Sequence, residues 1–335
     1  MPEAQPRPTG YDLQPEQILD GRFLLIEIVS RSGMATIFKA IDQDNGQIVA
    51  IKVPYLHFES SPAFYSRFIR EGEVGAKLDH PYLLKFIEVP NRSRPYLVME
   101  FLEGETLAER LKRSGTLPEA EALSLASRIC EALSYMHEHQ VIHRDLKPQN
   151  VMLLTDGSIR VLDFGISKTI GRRFTFVGFT PALGTPEFMA PEQVLGKRGD
   201  ERTDIYSLGT VLYRMLVGSN PFAGESDDVF VAMNARVTGD PEAPRRLNPQ
   251  ISEQAEEIIL HAMERDPAKR YPSAAAFKTE LDAPLKVALT GRCRRLQRPS
   301  RWRRHWKNVV LIGGVLIAIA CGFIKLIYMI VHHGP

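Results

Sequence analysis

The chain has 335 residues, 44% apolar and 24% charged, which is long enough for one large domain or two ordinary ones and excludes wholesale disorder. Its formal charge of +2 hides a segregation: residues 286–307 hold nine Lys/Arg and no acid, and the first 285 residues hold 32 basic against 40 acidic, a balance of −8. An acidic body with a basic collar argues against nucleic acid as the main partner, and three scattered cysteines (Cys130, Cys293, Cys321) exclude a disulfide framework.

In chain order, residues 1–20 are Pro-rich and polar, read as a disordered lead with no signal-peptide core. Between 21 and 56, GRFLLIEIV, ATIFKAID and QIVAIKV alternate apolar and polar and predict three strands, the last two joined by a hairpin at the DNG turn of 44–46. Helical spacing follows over 62–78, then two further strands in YLLKFIEV and PYLVMEFL. From Thr106 the periodicity is mostly helical, with Leu125, Ile129, Ala132, Leu133 and Met136 along one apolar face. The fold class predicted is α+β, a small sheet-rich lobe (21–102) followed by a larger helical one (103–282).

Residues 283–308 read as an irregular basic linker. Residues 309–331 carry one charge, Lys325, in 23 residues, a helix of about 35 Å against a hydrocarbon core of roughly 30 Å. A single transmembrane helix is expected there, with Lys325 snorkelling toward the far end. The basic, Trp-bearing RWRRHWK before it places the body in the cytoplasm by the positive-inside rule, at the plasma or inner membrane, and leaves 332–335 outside. The collar suits anionic lipid as well as a topology signal, and Gly314 and Ala318 have the small-xxx-small spacing of a homodimerising helix, a pattern common in apolar segments.

The densest signal is the run His143, Arg144, Asp145, Leu146, Lys147, Pro148, Gln149, Asn150, then VMLL, a turn at Asp156 and Gly157, and RVLDFG with Asp163, Phe164 and Gly165. Further on come Ala190-Pro191-Glu192, Asp204 in DIYSLG and Arg270 in DPAKRY. Singly, each is as readily a solvated loop charge. As an ordered set they resemble the eukaryotic-like (Hanks-type) protein kinases, in particular bacterial membrane-anchored members, over residues 21–282.

The resemblance implies the two-lobed protein-kinase fold and an ATP-dependent protein serine/threonine kinase, with Ser/Thr-bearing proteins as substrates and Mg²⁺ (or Mn²⁺) as cofactor. Phosphoryl transfer needs phosphate, metal and acceptor held in line while negative charge is screened. In the implied roles Asp145 is the catalytic base, Lys147 neutralises the transferring phosphate, and Asn150 and Asp163 hold the metal, as oxygen ligands suit it. The Lys in LKPQN and Thr185 in GTPEF match the Ser/Thr type.

In the small lobe Val49, Ala50, Ile51 and Lys52 match the strand whose Lys contacts the α- and β-phosphates. Glu71, nineteen residues on, would hold that Lys; Glu73 is the fallback, but lies about 200° around the helix. Met99 would gate the adenine pocket, Glu100 and Leu102 would offer hinge backbone, and Ala50 and Met152 would sandwich the base. These apolar positions could equally be plain core.

The glycine-rich loop departs from the pattern. GxGxxG is replaced by Ser30, Arg31, Ser32, Gly33, Met34 and Ala35, followed by Ile37 and preceded by Val29. Glycine there lets backbone approach phosphate, so weaker or differently posed ATP is expected. The departure keeps alive the alternative of a pseudokinase, a membrane-anchored nucleotide-binding scaffold. A small-molecule kinase is the third reading, disfavoured by the GTPEF and APE endings. Arg144 beside Asp145 implies pairing with an autophosphorylated loop residue, with Thr180 the first candidate and Thr175 the second.

Overall fold

The computed structural model describes residues 13–56, 62–163, 186–222 and 229–296. The expected segment at 309–331 lies outside these residues, as do Thr175, Thr180 and Thr185. No helix among the described residues is long and apolar enough to cross a membrane.

Six strands form the first sheet: β1 (Ile18–Leu19), β2 (Phe23–Arg31), β3 (Ala35–Asp42), β4 (Gln47–Pro54), β5 (Phe86–Ile87) and β6 (Leu97–Glu100), in the order β1-β2-β3-β4-β6-β5 and antiparallel throughout. The three strands expected over 21–56 are β2, β3 and β4, with Asp42 opposite Gln47 across the hairpin. Beyond them β1 adds an unexpected edge strand, and the two later strands shrink to two and four residues.

Period-2 alternation divides β4 between two cores. Val49, Ile51 and Val53 pack with Phe23, Leu25, Phe38, Tyr96 and Val98 into the small lobe's own cluster. Ala50 faces the other way, joining Met99, Leu97 and Phe68 at the margin of the large-lobe core. Lys52, two residues from Ala50, falls on that same face.

Helix α1 (Pro62–Gly75) ends three residues before the expected 78. Gly72 and Gly75 in its last turn lower helix propensity, and the chain winds down through turn bonds from Ala76 N to Gly72 O and from Leu78 N to Gly75 O. A Cβ on Gly75 would fall 2.5 Å from the Phe86 ring, so the glycine sets how closely α1 lies on the sheet.

The large lobe is built from α2 (Leu107–Ser114), α3 (Glu119–Glu138), α4 (Pro191–Val194), α5 (Arg202–Val217), α6 (Val229–Thr238), α7 (Pro244–Leu247), α8 (Glu253–Ala262) and α9 (Ala274–Asp282). Thr106 and Glu109 form a capping box at the start of α2. The predicted face of α3 is buried in full, and α5 is buried along nearly its whole length. A second sheet, β7 (Gly104–Thr106), β8 (Val151–Leu154) and β9 (Ile159–Val161), interrupts the helical region, with the loop 143–150 leading into β8 and Asp163 following β9.

The compact unit runs to Leu296, so residues 283–296, expected as the start of a basic linker, belong to it. They include the short helix α10 (Arg292–Arg295) and pack on α8. Thr290 Oγ1 donates to Glu257 Oε1, Arg292 N donates to Glu257 Oε2 at 3.3 Å, and the Arg292 guanidinium lies 3.5–3.6 Å from Glu257 and Glu264.

Candidate active site

Lys52 projects from the cleft face of β4, and its ammonium bridges two carboxylates, Glu71 Oε1 on α1 and Asp163 Oδ1 just past β9, each at 2.9 Å. Burial disfavours the charged Lys, but Asp163 and Glu71 outweigh it and push the pKa well above the ordinary lysine value. The same ammonium, against the cost of burial, holds Asp163 below the ordinary carboxylate range. Glu71 is displaced upward, chiefly by burial, with Asp163 adding to the shift and Lys52 opposing it. Glu73 is exposed on the opposite face of α1, so the fallback has no part in this contact.

The other wall is the loop 143–150. Asp204, wholly buried in the first turn of α5, accepts the backbone N–H groups of His143 (2.9 Å) and Arg144 (2.7 Å) and contacts His137 Nε2 at 2.8 Å. His143 is fully buried; its Nδ1 accepts Asp145 N–H at 3.3 Å while Nε2 donates to Leu162 O at 3.0 Å, which assigns the proton to Nε2. Arg144 and Asp163 both take left-handed backbone, φ +61° and +49°. Such strain in non-glycine residues marks positions over-determined by their surroundings.

Asn150 Nδ2 donates to Asp145 O at 2.8 Å and lies 3.4 Å from Asp145 Oδ2, and Lys147 Nζ is 3.1 Å from the same Oδ2. Leu162 N–H donates to Asn150 O at 2.8 Å, so the two walls are tied beside Asp163. Asp145, Lys147 and Asn150 thus form one group, and Lys52, Glu71 and Asp163 another. Asp163 offers carboxylate oxygen and Asn150 an amide oxygen. This all-oxygen donor set fits a small hard cation such as Mg²⁺.

Ala50 and Met99 are buried and directly paired, with Ile37 beside Lys52 in the next register. Met152 is half-buried on β8, opposite Thr106. Glu100 N–H donates to Lys85 O at 3.0 Å, which concerns its amide and not its carbonyl. Val29 and Ser30 at the end of β2 and Ser32 and Gly33 in the turn after it are exposed, whereas Ala35 is buried at the start of β3.

A family model described as the protein kinase domain matches residues 25–281. The chain belongs to that family. It is 36% identical over 273 residues to a probable serine/threonine-protein kinase of Streptomyces coelicolor, covering 80% of this chain and 40% of that one. It is likewise 36% identical over 271 residues to the serine/threonine-protein kinase PknB of Mycolicibacterium smegmatis, covering 79% and 43%. The chain therefore spans about two-fifths of the length of these curated relatives. The crystal structure of the Mycobacterium tuberculosis PknI kinase domain superposes with a TM-score of 0.64 at 22% identity, covering 82% of this chain and 100% of that one, a likeness of fold.

The late motifs of the kinase domain meet in space. Glu192 and Arg270 form a buried bidentate pair at 2.8 Å, and Thr203 Oγ1 donates to Glu192 at 2.8 Å. Next to Glu192, Gln193 Nε2 donates to Arg144 O at 2.9 Å and links this pair to the loop 143–150.

Two contributors escaped the sequence reading. Arg160 on β9 contacts Glu100 Oε1 at 3.1 Å, joining the two sheets behind the cleft, and no local pattern marks it. Gln193 lies beside a recognised motif, and its position after Glu192 was the available signal.

Proposed function

We propose that this chain is an ATP-dependent protein serine/threonine kinase. The carrying observation is the double bridge from Lys52 to Glu71 and Asp163, which draws helix, sheet and the β9 end into one charge array facing Asp145, Lys147 and Asn150. In this reading Lys52 binds the α- and β-phosphates, and Asp145 orients the acceptor hydroxyl and takes its proton as the γ-phosphoryl leaves ADP. Lys147 offsets charge on the transferring group. Asp163 and Asn150 would hold Mg²⁺, which when bound screens the phosphate charge; Mn²⁺ shares the same donors.

The test is transfer from labelled ATP to the chain itself and to a generic basic protein, beside Asp145→Asn and Asp163→Ala. Label on Ser or Thr that vanishes in both variants is expected. Equal label in all three would refute the roles assigned. The second reading, a nucleotide-binding pseudokinase, draws support from the glycine-poor loop alone, and nucleotide binding without transfer would favour it.

The proposal extends to the membrane anchor at 309–331, a cytoplasmic catalytic domain and an autophosphorylated Thr180 or Thr175. Support for the last comes from Arg144. Its Nε is buried without a hydrogen-bond partner among the described residues, and burial together with Arg198 lowers its pKa, a setting that favours an incoming anion. Phosphopeptide mapping that found both threonines unmodified in active protein would remove it.

A further inference from the structure

We propose that Ser32 governs how tightly this domain grips the phosphates of its nucleotide, because its hydroxyl occupies two backbone N–H groups that the loop would otherwise turn toward them. The inference rests on the nucleotide reading given above.

Ser32 sits at the tip between β2 and β3. Its Oγ accepts N–H from Met34 at 3.3 Å and from Ala35 at 3.1 Å. Its own O–H donates to Ala35 O at 3.0 Å, and its backbone N–H donates to the same oxygen at 2.9 Å. The turn is therefore closed on itself through Ser32, by its side chain and its own N–H together. It is also fastened from behind, since Tyr55 N–H donates to Met34 O at 3.0 Å and Tyr55 directly follows β4, the strand carrying Lys52. Ala35 pairs with Pro54 and Ile37 with Lys52, which sets the tip along the Lys52 end of the cleft.

Successive N–H groups in a tight turn make a concavity for anions. Here two such donors point at a neutral hydroxyl, so a phosphate must displace Oγ before it can be held by them. A bond to a charged acceptor is roughly twice as strong as a neutral one, so vacating those donors favours phosphate. Gly33 adds no obstacle: a Cβ there would meet nothing within 4 Å.

The experiment is isothermal titration of the full chain and its Ser32→Ala and Ser32→Thr variants with Mg²⁺·ATP and, separately, with adenosine. Adenosine has no phosphate and reports any general damage to the pocket. Ser32→Ala is expected to bind ATP about tenfold tighter, or ~1.4 kcal/mol, with adenosine unchanged; Ser32→Thr, which keeps the hydroxyl, should match the parent for both. Unchanged or weaker ATP binding by Ser32→Ala with adenosine intact overturns the proposal alone, and shows the hydroxyl to be neutral or itself a phosphate ligand. A parent chain that binds neither ligand overturns the nucleotide reading and this proposal with it.

Discussion

Replacing Arg270 by Met tests the buried frame that supports the loop 143–150. The Arg270 side chain is wholly buried and donates to both Glu192 oxygens at 2.8 Å and to the carbonyls of Glu264 (2.7 Å), Arg202 (2.9 Å) and Arg265 (3.2 Å), with its guanidinium 4.9 Å above the Tyr206 ring. Met has comparable length but offers no donor, so the Glu192 carboxylate would stay buried with Thr203 as its remaining partner among these groups. Breaking a buried pair from one side costs about 3–5 kcal/mol, a large share of the roughly 5–15 kcal/mol that keeps a domain folded.

The pH dependence separates this cause from lost packing. In the parent, burial raises the Glu192 pKa but the bonds and charge of Arg270 outweigh it, holding the carboxyl below its ordinary value. That contribution is present above the unfolded value, 4.5, and is lost as pH falls through the folded one. In Arg270→Met burial acts without its opponent, the folded pKa rises, and the folded state gains stability as Glu192 takes up a proton. The stability gap between parent and variant should therefore be widest at pH 7 and narrow toward pH 4. Urea unfolding followed by far-UV circular dichroism measures both. A gap under about 1 kcal/mol at pH 7, or one that widens on acidification, would refute the reasoning.

Two further outcomes follow from the same structure. Glu71→Gln keeps shape but removes the charge-assisted bond to Lys52, and should lower phosphotransfer about 10- to 100-fold. It should leave thermal stability unchanged or slightly raised, because burial already disfavours the ionised Glu71; unchanged turnover would contradict the positioning role. His261 packs against Tyr271 with ring centroids 3.9 Å apart and planes tilted by 38°, and burial, then the nearby Arg292, push its pKa from 6.5 to about 4, with Glu257 opposing. The folded state thus binds fewer protons than the unfolded one between those values. The contribution is full above pH 6.5 and is lost toward pH 4, by on the order of 2 kcal/mol after allowance for partial exposure. His261→Phe should flatten that part of the unfolding profile, and parallel profiles would exclude the effect.

The pairing of Lys52 with Glu71 was legible because it rests on a fixed local geometry. Period-2 alternation places Ala50 and Lys52 on one strand face, and the helical turn angle separates Glu71 from Glu73. Strands β7 to β9 were harder to read because three or four residues are too few to show a period. Arg160 and Glu100 are sixty residues apart and meet only because both sheets approach the hinge. The end of α1 was overestimated because Val74 and Leu78 continue the apolar spacing, while the cost of Gly72 and Gly75 is repaid by contact with the sheet. Ser32 looked like a poor substitute for glycine. Its hydroxyl in fact adds turn bonds that glycine cannot make.

The basic collar is where composition misleads most, because its charges are not equivalent. Read as sequence, nine cations from 286 to 307 form one uniform stretch. In the structure Arg292 is committed to Glu257 and Glu264, its side chain mostly buried, while Arg294 and Arg295 on the same short helix are exposed. At about 1 kcal/mol per cation near an anionic lipid surface, Arg292 would contribute to lipid binding only by leaving two carboxylates, one of them buried. Glu257 would then lose its guanidinium along with the Arg292 N–H and the Thr290 hydroxyl, a loss on the scale of breaking a buried pair. The docked arrangement therefore holds residues 284–296 to the large lobe. Arg294 and Arg295, exposed on the same helix, carry no such cost.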